Sequence, residues 1–136
     1  QGYTGYTRGN YAALPTDDTD LETAYSAQDV TDVATSDNIR VNQFAQGQYA
    51  IHQYKNFVGA KIQVILTWEG QTDFSPVSSR VFLQIYNRNT SAWETVASNN
   101  SASANTDFTL TANMADLTNY KDSGSVISCR IYQQAV

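Results

Sequence analysis

The alternation of apolar and polar residues in the middle of this chain is its strictest constraint. In the stretch KIQVILTW, residues 61–68, every second side chain is apolar, and the apolar residue on the opposite face is Ile65. A repeat of two residues places these apolar side chains on one face of an extended strand. The predicted inward-facing residues are Ile62, Val64, Leu66 and Trp68.

The stretch RVFLQIYN, residues 80–87, repeats this pattern, and RNTS and AWETV follow it. Polar loop residues between two such runs are typical of a β-hairpin. The strand predicted over 80–87 places Val81, Leu83 and Ile85 on one face, and Arg80, Phe82, Gln84 and Tyr86 on the other.

Further strands are predicted on both sides of this hairpin, and polar clusters separate them. One short helix is expected at 112–120, because Met114, Leu117 and Tyr120 recur every three residues. Many short strands without alternating helices indicate a β-sandwich or a barrel rather than a parallel α/β sheet, and the strand count and loop lengths favour a jelly-roll-like sandwich. We therefore predict an all-β, jelly-roll-like antiparallel β-sandwich of about eight strands, with an N-terminal extended arm over 1–15 and a single sandwich domain over 16–136. The other predicted strands are 20–26, 38–45, 48–55, 107–112 and 125–133.

Charge and hydropathy exclude two classes of partner. Only 15% of the 136 residues are charged and the net charge is −5, so no basic surface is present to neutralise a phosphate backbone. No apolar run is long enough to span a membrane. We expect neither nucleic-acid binding nor membrane insertion, and the uncharged polar composition favours a secreted or cell-surface protein.

The residues available for catalysis are few, so we do not expect an enzyme. The chain has one histidine, His52, and one cysteine, Cys129, which lies in the apolar setting VISCRIY. No G-x-S-x-G motif accompanies them. Glu69 and Glu94 each follow a tryptophan, which leaves a glycoside hydrolase with paired carboxylates as a third, minor hypothesis.

Three acidic residues lie at alternate positions around the start of the strand predicted over 20–26, namely Asp18, Asp20 and Glu22. Carboxylate oxygens at this spacing suit Ca²⁺, although Thr23 stands where an EF-hand loop needs glycine. Two interpretations stay open: a structural calcium site, or a solvated acidic loop. No other cofactor is expected.

Nine tyrosines are a high count for this length, and several lie on the polar sides of their strands. Tyrosine and tryptophan rings suit both sugar stacking and protein contact. The candidates for ligand stacking are Tyr54, Tyr86 and Trp93.

The opening QGYTGYTRGNY spaces tyrosines among glycine and threonine. Threonine and tyrosine favour a strand, whereas glycine weakens one. Three outcomes are open: an ordered strand of its own fold, a strand donated to another copy, or a disordered end. The candidate assembly residues of this arm are Tyr3, Tyr6, Tyr11 and Leu14.

The segments RVFLQIYNRNTSAWETV and NTDFTLTANMADLTNYKDSGSVISCRIYQ carry a family resemblance over about residues 20–134. The chain resembles a β-sandwich module of uncharacterised secreted and surface proteins from bacterial and environmental genomes. The resemblance implies an extracellular sandwich and implies no catalytic residues.

Two functions follow as expectations. The first is a non-catalytic structural or adhesive extracellular module, a filament or surface-layer subunit assembled by donation of the arm to a neighbour. The second is a carbohydrate-binding module. The expected partners are accordingly further copies of the chain, other surface proteins, or glycans.

Overall fold

The computed structural model describes residues 3–33 and 48–134 of the chain. The described residues form eight strands and one short helix. The elements are β1 (Tyr3–Tyr11), β2 (Thr23–Ala24), α1 (Ala27–Asp32), β3 (Tyr49–Phe57), β4 (Val64–Gly70), β5 (Val81–Asn87), β6 (Ala92–Asn99), β7 (Phe108–Met114) and β8 (Val126–Gln134). No helix in this part of the chain is long and apolar enough to cross a lipid bilayer.

The strands form two antiparallel sheets, which confirms the all-β sandwich. A six-stranded sheet has the order β2-β1-β3-β8-β5-β6, and β4 pairs with β7 in a two-stranded sheet. The chain leaves the six-stranded sheet after β3, forms β4 in the small sheet and returns at β5. It does the same from β6 through β7 to β8. These crossings give the sandwich its jelly-roll-like character, and they place β8 between β3 and β5.

The core lies between the two sheets. We call the side of the six-stranded sheet that faces β4 and β7 the inner face; its central residues include Leu83, Ile85 and Cys129. Ile85 has no exposed surface, whereas Ile65, on the far side of β4, is 69% exposed. The alternation predicted for β4 and β5 is therefore confirmed.

The inward position predicted for Ile62 is wrong, because its side chain is 63% exposed. Pairing between β4 and β7 begins only at Val64 and Met114. Ile62 precedes this pairing, and its backbone carbonyl accepts a hydrogen bond from the Leu117 backbone amide. Because Ile62 lies outside the paired strand, the alternation of β4 does not determine which side Ile62 faces.

The helix predicted over 112–120 is also wrong. Residues up to Met114 belong to β7, and a turn follows in which Leu117 is fully buried. Asp116 accepts a hydrogen bond from the Thr118 backbone amide, a local bond that favours a turn. The helix that does form is α1, where Ser26 and Asp29 make a reciprocal capping box.

Most other predicted strands are present within one to three residues of their expected ends. The strand predicted over 20–26 is reduced to β2, which pairs with β1 at two positions. The strand predicted over 38–45 lies outside the described residues.

The N-terminal arm forms β1, which lies between β2 and β3 in the six-stranded sheet. β1 pairs with β3 from Tyr3–Asn56 to Tyr11–Tyr49, within the same chain. Gly9 has a packing reason, because a Cβ there would lie 2.8 Å from Glu22 Cγ and from a Tyr11 ring carbon. Glycine therefore lets Glu22 cross close above the strand.

The segment between β1 and β2, residues 12–22, covers the other side of the six-stranded sheet, which we call the outer face. We call these residues the crossing segment. It extends across the sheet to β6, where the Asp17 carbonyl accepts from Trp93 Nε1 at 3.1 Å. It then returns over β3 and β1, where Gln53 Nε2 donates to the Asp18 carbonyl and the Leu21 amide donates to Thr7 Oγ1.

Candidate ligand-binding site

The crossing segment and the outer face border an open surface pocket of about 350 Å³. One wall is the crossing segment, and the other consists of β5, β8 and the beginning of β6. Residues from both walls line it, including Pro15, Thr16, Gln84, Ser91, Trp93 and Arg130.

Arg130 lies at the base of this pocket because β8 is a central strand of the sheet. Its neighbours in register are Gln53 on β3 and Gln84 on β5. Arg130 Nε donates to Gln84 Oε1 at 2.8 Å, and Nη1 donates to the Pro15 carbonyl at 2.7 Å. The side chain is only 3% exposed, and burial lowers the pKa of the guanidinium to about 10.

Trp93 forms the aromatic side of the pocket. The Arg130 guanidinium carbon lies 4.3 Å from the centroid of the indole ring, a cation–π contact. The ring of Tyr86 meets the indole edge-on at 5.2 Å. Trp93 is half-buried, and the Asp17 carbonyl and Arg130 fix its orientation.

The structure brings together two of the three residues proposed for ligand stacking. Tyr86 and Trp93 are neighbours on the outer face, although Tyr86 is only 9% exposed and contacts the indole edge-on. Tyr54 lies on the inner face, where its ring contacts Tyr6 edge-on at 5.0 Å. Burial raises the pKa of Tyr54 to about 12.

The three acidic residues proposed for calcium turn to different partners. Asp18 accepts hydrogen bonds from Arg88 and Ser128, and Asp20 forms an ion pair with Lys55 at 2.8 Å. Glu22 accepts from the Asn10 backbone amide. Alternate positions share a face only in an extended strand, and β2 begins after Glu22. Residues 3–33 and 48–134 contain no cluster of three or more acidic, histidine or cysteine side chains suited to a metal.

The four arm residues have different surroundings. Tyr3 belongs to β1 through its backbone pairing with β3. The Tyr6 hydroxyl donates to Asn56 Oδ1 at 2.7 Å, and the Tyr11 hydroxyl accepts from the Glu22 backbone amide. Leu14 lines the pocket and also packs against an apolar cluster on the outer face, formed by Leu21, Ile51 and Tyr132.

His52 and Cys129 lie on neighbouring strands, but their environments oppose thiolate chemistry. Burial raises the pKa of the Cys129 thiol to about 12 and, together with the charge of Arg8, lowers the pKa of His52 to about 4. A nucleophilic thiolate paired with an imidazolium needs both shifts reversed. The His52 Nδ1 atom lies 2.5 Å from the Tyr25 hydroxyl.

The two glutamates considered for glycoside hydrolysis lie on different sheets. Glu94 on β6 accepts hydrogen bonds from Asn87 and from the Tyr120 hydroxyl, each at 2.7 Å. Glu69 is exposed on β4. Its neighbour Trp68 packs into the core against Phe108, with ring centroids 5.4 Å apart.

Sequence reasoning missed Arg130, Gln84 and Pro15. A signal for Arg130 was present, because a cation in the middle of the apolar strand VISCRIY requires a partner when the strand is buried. Its partners, Gln84 and Pro15, are 46 and 115 residues away along the chain, so local patterns could not identify them.

In the comparisons with known proteins, no family model, no curated protein and no solved structure matches this chain. Its resemblance to a module of secreted proteins therefore stays an expectation, and the geometry of the pocket carries the functional argument.

Proposed function

We propose that this chain is a non-catalytic saccharide-binding module of a secreted or cell-surface protein, with its binding site in the Trp93 pocket. The observation that carries this proposal is the position of Trp93, a half-buried indole that forms one side of a surface pocket. Trp93 lies on the outer face of the six-stranded sheet, opposite the core.

The chemistry of the pocket suits a sugar ring. An aromatic ring offers a flat surface to the C–H groups of a sugar, and nearby polar groups supply hydrogen bonds. Thr16 and Ser91 contribute exposed hydroxyl groups to the lining. Contacts with Tyr86, Arg130 and the Asp17 carbonyl hold the indole in place, which reduces the entropy lost on binding.

The surroundings of the potential catalytic groups support a non-catalytic role. The pKa values of His52 and Cys129 are shifted against nucleophilic catalysis, and two donors satisfy the Glu94 carboxylate. The low charge and polar composition support the extracellular location.

Calorimetric titration with a panel of soluble oligosaccharides at millimolar concentrations tests this proposal. We expect binding by the unmodified chain and loss of binding in Trp93→Ala. The matched control is Trp68→Phe, which changes the core tryptophan and keeps an aromatic ring; circular dichroism checks the fold of both variants. Absence of binding to every sugar would overturn the proposal, and so would equal binding by Trp93→Ala.

A second candidate is a structural module that assembles by exchange of β1 between copies. The observation that favours it concerns the side of β1 away from β3: among the described residues, β2 pairs there only with Thr7 and Arg8, and the Tyr25 amide donates to the Tyr6 carbonyl. In such an assembly β1 would make its β3 pairs with another copy and build a chain of subunits.

Deletion of residues 1–14 tests this exchange poorly, because it removes an interior strand of the sheet. Cysteines at Asn10 and Ala50, which are opposite each other in β1 and β3, report the pairing directly. Oxidation at high concentration should give a ladder of covalent multimers if strands are exchanged. Monomers alone, with an internal disulfide, would exclude the exchange. The controls are the two variants that each carry only one of the added cysteines beside the native, buried Cys129.

A further inference from the structure

Arg130 is a buried cation that forms no ion pair with a carboxylate among the described residues. Its two hydrogen bonds go to neutral oxygens, those of Gln84 and Pro15. The aromatic rings of Trp93 and Tyr132 lie 4.3 and 5.5 Å from its guanidinium carbon. Burial of a charged group is costly, and proteins usually offset that cost with an opposite charge.

The guanidinium still has donor capacity at the pocket. In the described part of the chain, Arg130 Nη2 has no hydrogen-bond partner. This atom keeps some exposed surface, because the fully buried side-chain atoms without a partner do not include it. A guanidinium has five N–H donors, and its planar fork matches the two oxygens of a carboxylate. The remaining donors therefore leave room for an anionic group of a ligand.

The structure around this donor is already organised. Gln84 Nε2 donates to Thr95 Oγ1, so the amide that orients Arg130 Nε is itself held in place. The Pro15 carbonyl fixes Nη1 from the opposite wall, and the indole of Trp93 packs against the guanidinium plane. A carboxylate entering the pocket would find the guanidinium desolvated and correctly oriented.

We propose that the pocket takes an acidic saccharide, and that Arg130 binds the carboxylate of its uronate residue. This inference rests on the proposed function, since it specifies the sugar that the Trp93 pocket binds. The sugar ring lies along the aromatic wall, Thr16 and Ser91 serve its hydroxyl groups, and its carboxylate offsets the buried charge. The aromatic and hydroxyl lining favours a sugar over an acidic peptide.

Calorimetry with three matched ligand sets tests this on the unmodified chain. The sets are uronate trimers (glucuronate, galacturonate and mannuronate), their methyl esters, and the corresponding neutral hexose trimers. We expect the acids to bind at least tenfold more tightly than both uncharged sets. Equal affinity for acid, ester and neutral sugar would overturn the role of Arg130 and leave the proposed function intact. Binding by none of the three would overturn both.

Two further measurements sharpen the test. Arg130→Lys keeps the positive charge but loses the planar fork, so the preference for acid over ester should fall about tenfold. Arg88→Lys, at a cation that already pairs with Asp18, is the matched control and should keep the preference. An N-acetylated triglutamate peptide that binds more tightly than every uronate would overturn the saccharide as the ligand.

Discussion

The inner and outer faces of the six-stranded sheet are packed in different ways. On the inner face, Ile85, Cys129 and their neighbours pack against apolar residues of β4 and β7. On the outer face a polar row crosses the sheet, consisting of Gln53, Arg130, Gln84 and Thr95. Gln53, Gln84 and Arg130 of this row are buried, and the crossing segment accepts hydrogen bonds from Gln53 and Arg130 through backbone carbonyls.

This difference separates two ways of burying a sheet. Apolar packing depends on area and volume, so many sequences can provide it. A covered polar row depends on individual hydrogen bonds, and each unsatisfied partner costs free energy. We therefore expect single substitutions to cost most stability on the inner face, and we expect the effects on the outer face to depend on individual hydrogen bonds and charges.

The largest effect is expected on the inner face. Ile85→Ala should lower the free energy of unfolding by about 2–5 kcal/mol, because it leaves a cavity at a fully buried position. Denaturant titration measures this loss. The control Ile65→Ala, at an exposed position on β4, should change stability by less than about 0.5 kcal/mol. Similar losses in both variants would contradict the burial of Ile85 in the core and the exposure of Ile65 on the far side of β4.

Much of the inner face was predictable from the sequence, because alternation in β4 and β5 depends only on neighbours along the chain. The outer face was not. Tyr86 and Gln84 occupy the polar side of β5 and are nevertheless buried, because Gln84 lies at the pocket beside the crossing segment and Tyr86 packs against Trp93. No local pattern in residues 12–22 shows that they extend as far as β6.

The candidate site divides in the same way. Trp93 was identifiable from its residue type and its place in a hairpin. Arg130 became a site residue only through the strand order, which places β8 beside β5, and through the position of Pro15. The helix predicted over 112–120 failed for a related reason: a strand end followed by a turn produced apolar residues at three-residue spacing.

An intermediate effect on stability is expected at His52, on the inner face of β3. There His52 contacts Tyr25 and Tyr54, and burial lowers its pKa from 6.5 to about 4. The folded state thus favours the neutral ring. This contribution is present above pH 6.5 and is lost as the pH falls towards 4. Between pH 7 and pH 5 the unmodified chain should lose roughly 2 kcal/mol from this group.

The variant His52→Gln removes this titration and keeps a polar group beside the Tyr25 hydroxyl. Denaturant titrations at pH 7, 6 and 5 should show a shallower loss of stability in the variant than in the unmodified chain. Parallel loss in both chains would show that His52 titrates with an ordinary pKa, and that this part of the inner face admits water.

The smallest effect is expected on the outer face, at Asp18. Burial raises the pKa of its carboxyl, but hydrogen bonds from Ser128 and Arg88 and the Arg88 charge outweigh burial and hold it below 3.8. Its contribution is therefore present above about pH 4 and is lost as the pH falls below that value. Asp18→Asn should cost about 1 kcal/mol at pH 7, since the carboxylate is 23% exposed and partly screened.

The matched control for Asp18→Asn is Asp20→Asn, two residues along the same crossing segment. The Asp20 carboxylate is 66% exposed in its ion pair with Lys55, so its removal should have little effect at any pH. Unfolding curves at pH 7, 4 and 3 should show the cost of Asp18→Asn shrinking with acidification. A cost that stays constant with pH would mean that Asp18 acts through packing rather than charge. The outer face would then be held in the same way as the inner face, and the contrast between them would fail.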